Sequence, residues 1–362
     1  MARSRRRLRS FILGVIASAG LVVFGCFVLN CLIDPLWYLR GNVVSGINYP
    51  FNERLSKMVR LLPRLQDYDC VIFGTSRATL LPEDQAKGYR CYNLAISDGQ
   101  VSEHLLLADY LRQRGFAPKL IIVEIKRTDL IGPPLPPDMP DFIRTGDAVP
   151  SILASYLTLD AMDFSIRTLR GDAPHHRYYD PEFRARLEVR SKKRYYNPAP
   201  TVAPTPPPND VHAERGALYR QLRAKFPAAR AIGFIPLESA WRMAAFSLTG
   251  GFDAYLAAVA DIAQSYDEFL DFSPPSQTTL SKSPKETYDG LHYSREANVQ
   301  VMADLLANRS DTAIDWKRED RQAVAALFQR RFTEFFATTA KPDLTAQSTE
   351  KQKPHPPRDE SD

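Results

Sequence analysis

Two short stretches, far apart in the chain, hold side chains able to act on each other. The first is Val71-Ile72-Phe73 running into Gly74-Thr75-Ser76-Arg77. A serine just past the carboxyl end of a parallel strand sits where α/β folds place reactive groups. Gly74 allows a tight turn, and a helix amino terminus beside Ser76 would offer free backbone N–H groups. Alone, the same pattern reads as a turn with an N-capping serine. The second stretch is Tyr288-Asp289-Gly290-Leu291-His292-Tyr293-Ser294. Asp289 and His292 stand three apart at the entry to a helix that Ser294 is placed to cap. On one turn, the carboxylate accepts the imidazole Nδ1 proton and fixes the tautomer, which leaves Nε2 to take a proton from a serine. His292 is better placed for this than His175-His176, which lie in a proline-bounded stretch. Glu124, at the end of another strand-like run, is an alternative general acid. No Gly-x-Gly-x-x-Gly, Walker loop, His-Glu-x-x-His or Cys-x-x-Cys occurs, so no cofactor or metal is implied.

The elements that must carry these residues alternate. Leu55, Met58, Leu62 and Leu65 recur at helical spacing ahead of the strand Cys70–Gly74. Cys91–Ile96 is a second strand. Val101, Leu105, Ala108 and Leu111 mark a helix that Gly115 closes. Lys119–Ile125 is a continuous apolar run, the pattern of a strand covered on both faces. Ala231–Leu237 and Glu268–Phe272 add two more strands, with a helix through Phe252, Leu256, Val259 and Ala263 between them. Ala297, Val301, Met302 and Leu305 line one face of a helix after Ser294, and Arg318–Phe336 forms the last helix. Alternating strands and helices predict a parallel α/β sheet.

The chain has 362 residues and a formal charge of +5. The length and the apolar content suffice for one large core or two small ones. Arg3, Arg5, Arg6, Arg7 and Arg9 account for the whole excess, so the remainder is electrically neutral and presents no case for nucleic-acid binding. Behind them Phe11–Ile33 is free of charge for 23 residues. As a helix rising 1.5 Å per residue it reaches about 34 Å, enough to cross a hydrocarbon core. Arginines before it and Asp34-Pro35 after it predict a signal anchor with a cytoplasmic amino terminus and an exported body. Cleavage after Ala17-Ser18-Ala19 would leave most of the apolar run uncut, and Val23–Cys26 is a poor lipoprotein box because Phe27 and Val28 follow it.

Residues 131–210 interrupt the alternation. They open with Pro133-Pro134 and Pro136-Pro137 and close with Pro198–Pro208, where six of eleven residues are proline. Such segments cannot be sheet interior. The stretch reads either as an insertion across the open end of the sheet or as a solvated loop. It carries Tyr178-Tyr179, Arg190–Arg194 and Tyr195-Tyr196; paired tyrosines near a cleft could stack on sugar rings, or simply pack. From Thr338 onward the chain is too polar to fold. The expected organisation is therefore a basic tip at 1–10, an anchor at 11–33, an α/β domain at 45–337 interrupted at 131–210, and a tail at 338–362. Cys70 and Cys91 each begin a strand; two buried thiols is the simpler reading, and a disulfide requires those strands to be neighbours.

Taken together, Gly74-Thr75-Ser76 and Asp289-x-x-His292 resemble the SGNH (GDSL-type) esterase and acyltransferase family, over about residues 65–308 with the insertion left out. The resemblance implies a three-layer α/β/α domain with Ser76 as nucleophile, Asp289 as orienting acid and His292 as base. Asn93–Gly99 is similar to the family's second block, with Asp98 at the position of an oxyanion-binding glycine and Gly99 one place later. Val123–Asp129 is similar to the third, with Thr128 where a donor asparagine is expected. The anchor-plus-domain layout is similar to family members that work beside membrane-bound acyltransferases on cell-envelope glycans. It implies a glycan or acyl-ester substrate, a periplasmic or external domain on the bacterial inner membrane, and serine esterase or O-acyltransferase chemistry. The substituted blocks leave a second expectation open, an accessory protein with little catalysis that binds a glycan or a membrane partner.

Overall fold

The computed structural model describes residues 2–41, 44, 46, 52–131, 137, 139–140, 142–172, 177–180, 183–187, 196–204 and 211–343. His175, His176, Arg190–Arg194 and Tyr195 lie outside them, as does the tail from residue 344 onward.

The apolar runs become strands β1 (Cys70–Phe73), β2 (Cys91–Asn93), β3 (Leu120–Glu124), β4 (Arg230–Ile235) and β5 (Glu268–Asp271). They pair in the order β2-β1-β3-β4-β5, all parallel. A sixth strand, β6 (Ile314–Asp315), adds antiparallel to β5, so the sheet is mostly rather than wholly parallel. Two residues are too few to show a period in sequence. The helices include α1 (Ala2–Ile33), α2 (Glu53–Leu61), α3 (Val101–Gln113), α4 (Val149–Tyr156), α5 (Leu159–Arg170), α6 (Gly216–Ala224), α7 (Phe252–Gln264), α8 (Arg295–Ala307) and α9 (Arg321–Thr338).

Because side chains alternate across a strand, the sheet feeds two cores. Val71, Phe73, Ile121, Val123 and Phe269 join α3, α6, α7 and α9 on one face. Cys70, Ile72, Leu120, Ile122 and Leu270 meet Val301, Met302 and Leu305 of α8 on the other. The strand order reverses around β1: β2 lies on one side of it and β3 on the other. The carboxyl ends of β1 and β3 therefore flank the crevice where open α/β sheets expose reactive groups.

Cys70 and Cys91 are direct register partners on β1 and β2 and are joined in a disulfide. The two-thiol reading is thereby corrected: adjacent parallel strands put the two Cα atoms 4.2 Å apart, within reach of a bond.

The apolar amino-terminal helix is longer than the charge-free run. It is long and apolar enough to span a membrane from Arg6 to Ile33. The stretch at 131–210 divides in two. Its helical half, α4 and α5, packs against the carboxyl end of α1: the Asn30 Nδ2 donates to Tyr156 O at 2.9 Å and the Ser165 hydroxyl to Asn30 Oδ1 at 2.8 Å. Of its remaining described residues, Tyr178 and Tyr179 lie in a strand paired antiparallel with 185–187, and Thr201-Val202 pairs parallel with Lys341-Pro342. Folded structure thus continues past Thr338, because Ala340 is buried and the backbone of 341–342 is paired.

Candidate active site

β1 ends at Phe73 and the chain turns sharply through Gly74. A Cβ on Gly74 would come within 2.7 Å of Glu124 Cβ and Oε2 and 2.6 Å of Ala78 Cβ, so only glycine lets β1 approach the end of β3 this closely. Glu124 then organises the turn. Its carboxylate accepts from Thr75 N at 2.7 Å, the Thr75 hydroxyl at 2.8 Å and Ala78 N at 3.2 Å, and pairs with Arg77 at 2.9 Å. A buried carboxylate so fully engaged is a scaffold for the loop that presents Ser76 and not a general acid. Arg77 also reaches Glu238 at 3.5 Å, and Arg127 meets Glu238 at 2.5 Å. Burial alone would raise the Glu238 carboxyl; the Arg127 and Arg77 charges outweigh it and hold it below the usual range. This network ties together the loops after β1, β3 and β4.

The other half of the site comes from the turn before α8. Asp289 Oδ1 accepts the backbone N–H groups of Leu291 and His292, both at 2.8 Å, while Oδ2 lies 2.7 Å from His292 Nδ1. Burial opposes the Asp289 charge, but the imidazole and these N–H groups prevail and lower its pKa. Gly290 makes the turn at φ 78°, where a Cβ would also strike Tyr196 Cζ at 2.6 Å. Ser294 caps α8 by accepting from Ala297 N, as the sequence pattern predicts. Across the crevice, His292 Nε2 lies 2.8 Å from Ser76 Oγ. Ser76, His292 and Asp289 therefore form a continuous hydrogen-bonded relay in which the serine can lose its proton to Nε2. Tyr288, missed in the sequence reading, stacks on the imidazole with its hydroxyl 3.2 Å from Nδ1. Residues 288–292 are bends rather than helix, so no periodicity in the sequence points to this contact.

The oxyanion side departs from expectation. Asp98 has φ 51°, the left-handed conformation that glycine adopts freely and aspartate tolerates. Gly99 is buried, and its N–H donates to Ile96 O at 2.9 Å, so that group is committed within its own loop. Thr128 is exposed on the turn Arg127–Leu130 and makes no hydrogen bond to the Ser76 loop among the described residues. The side chain that the third loop sends to the second is Lys126, whose Nζ lies 2.8 Å from Asp98 Oδ1 and 3.4 Å from Gly99 O. A lysine two places before the asparagine position was not recognised in the sequence. The Ser76 N–H makes no hydrogen bond among the described residues, which leaves it available to a developing oxyanion. Asn93, the last residue of β2, staples the turns instead: its Nδ2 donates to Ala78 O at 2.8 Å and Leu81 O at 3.1 Å.

Of the paired tyrosines, Tyr179 is buried, stacked on Phe183 with its hydroxyl donating to Glu53 at 2.6 Å. It is packing, not a sugar platform. Tyr196 is half-buried, edge-on to Trp241 and hydrogen-bonded to Ser239. Among the described residues no cluster of His, Cys, Asp and Glu is arranged to hold a metal ion.

No family model and no curated protein matches this sequence. Among solved structures, the chain is similar to one from Streptococcus pneumonia described as "a putative platelet activating factor", with 13% identity over 70% of this chain and 92% of that one. The TM-score is 0.32, and a likeness of that size carries no argument about fold or activity.

Proposed function

We propose that this protein is a serine esterase or O-acyltransferase of the SGNH type, anchored by α1 with its α/β domain outside the cytoplasm. The observation that supports this most is the relay itself, 2.8 Å from Ser76 Oγ to His292 and 2.7 Å from His292 to Asp289. In this reading Ser76 Oγ attacks the acyl carbonyl as His292 Nε2 takes its proton. His292 then returns the proton to the leaving alcohol, and Asp289 steadies the imidazolium. The Ser76 N–H receives the oxyanion. Water or a glycan hydroxyl, deprotonated by the same imidazole, releases the acyl group. The Cys70–Cys91 disulfide and the five arginines before the span favour an exported body on the bacterial inner membrane, and an envelope glycan or its acyl donor is the substrate class we favour.

A second reading has its own observation. The Gly99 N–H is spent on Ile96 O, so the second loop offers one oxyanion donor fewer, and losing one such donor costs about 2.7–4 kcal/mol of barrier. That favours an accessory SGNH-fold protein working with a membrane-bound acyltransferase. Exposure of the full-length protein to a fluorophosphonate probe separates the two. The esterase reading expects labelling that Ser76→Ala abolishes and His292→Ala strongly slows. Folded wild-type protein that takes up no probe at Ser76 leaves the accessory role.

A further inference from the structure

We infer that the α4–α5 helix pair is a membrane-seating surface, which lies on the outer leaflet of the bilayer that α1 crosses and fixes the pose of the α/β domain above it. This rests on the reading of α1 as a membrane span. A hydrocarbon core about 30 Å thick takes about 20 helical residues, which from Phe11 carries α1 to Asn30. The structure docks α4 and α5 at that level. Asn30 is buried between them, bonded to Tyr156 O and the Ser165 hydroxyl. Asp34, one turn on, is fully buried; it accepts from Tyr38 N at 3.1 Å and Arg40 N at 2.8 Å, and from the Tyr156 hydroxyl. Helices held to this part of the span reach the headgroup boundary with it.

Their exposed faces suit that place. Among the described residues beyond α1, all exposed large apolar side chains except Leu106 fall in two places. Leu39 and Val44 follow the span, and Val149, Leu153, Leu157, Leu159 and Leu169 lie on or beside α4 and α5. Val149, Leu153 and Leu157 recur every fourth residue, one stripe of a helix, while Tyr156 and Ser155 on the same helix are buried. Leu159 is 87% exposed, a costly state for leucine in water. Arginines border the patch alongside acids: Arg40 folds back to Leu32 O at 3.1 Å, Arg167 pairs with Asp163 at 2.7 Å, and Arg170 ends α5. Apolar side chains with arginines at their rim are what an interface of acyl chains and anionic phosphates accepts. The link from span to domain is stiff, since Leu36 and Tyr38 join the main core and Tyr38 bonds Ser56. Seating would thus hold the Ser76 crevice at a set height and tilt.

The test uses the full chain in phosphatidylethanolamine–phosphatidylglycerol vesicles, with Cys26 and Cys31 replaced by alanine. Single cysteines are placed by Phe24→Cys, Leu106→Cys, Leu153→Cys or Leu157→Cys and labelled with an environment-sensitive fluorophore. Circular dichroism checks that each variant keeps its fold. Lipids carrying a nitroxide near the headgroup should quench most of the emission at 153 and 157 and leave 106 bright, while deep nitroxides quench 24. If 24 is quenched and 153 and 157 behave like 106, the seating inference is overturned, and shielding of those sites only in native membranes would assign the surface to a protein partner. If 24 itself stays bright, it is the membrane span that fails.

Discussion

Replacing Asp289 by asparagine isolates one property of the relay. The two backbone N–H groups on Asp289 Oδ1 can be kept by the amide oxygen, so the turn into α8 should survive. The other side of the group changes sign. A carboxylate oxygen that accepts the Nδ1 proton at 2.7 Å becomes an NH2 that donates, and the imidazole must carry its proton on Nε2, facing Ser76 Oγ. A base holding the proton it is meant to remove cannot act, and tautomer inversion of this kind costs about 10⁴ in rate, or ~5 kcal/mol of barrier. Tyr288 moderates the loss. Its hydroxyl, 3.2 Å from Nδ1, can accept the Nδ1 proton in place of the carboxylate, a neutral hydrogen bond worth about 1 kcal/mol. Tyr288→Phe combined with Asp289→Asn should therefore be about fivefold slower than Asp289→Asn alone. The assay is the pseudo-first-order rate of fluorophosphonate labelling at Ser76, with a thermal melt for each variant. Labelling of Asp289→Asn within tenfold of wild type, with the melt unchanged, would refute the assignment of His292 as a tautomer-controlled base.

Two further predictions concern stability. Removing the disulfide by Cys70→Ala with Cys91→Ala should lower unfolding free energy by about 3 kcal/mol, from a 21-residue separation in the chain-entropy account; denaturant titration measures it, and a loss near zero would mean that the β1–β2 pairing holds the loop closed in the unfolded chain as well. His104, enclosed behind the Gly99 loop, has its pKa pushed down by burial from 6.5 to about 3. The unfolded chain binds that proton below pH 6.5 and the folded one refuses it, so this contribution is intact above 6.5 and is lost as pH falls toward 3. The His104→Leu variant, whatever its absolute stability, should show a stability–pH slope shallower by up to one proton across that window; an unchanged slope would mean that His104 is protonated in the fold.

What could be read from the residues alone was local. Continuous apolar runs such as Leu120–Glu124 report strands buried on both faces, and Asp289 and His292, three apart, meet on a single turn whatever surrounds them. Twenty-three uncharged residues behind five arginines define an apolar helix in the same way. The tertiary structure decided what depends on segments meeting. His292 Nε2 faces Ser76 Oγ, Cys70 lies in register with Cys91, Lys126 rather than Thr128 reaches the second loop, Glu124 is consumed by the Gly74 turn, and α4 and α5 run to the end of α1. Each of these is set by strand order, register and packing, which arise when distant stretches bury apolar surface together. Periodicity within one stretch carries the pattern of its own face but not the identity of the face it will meet.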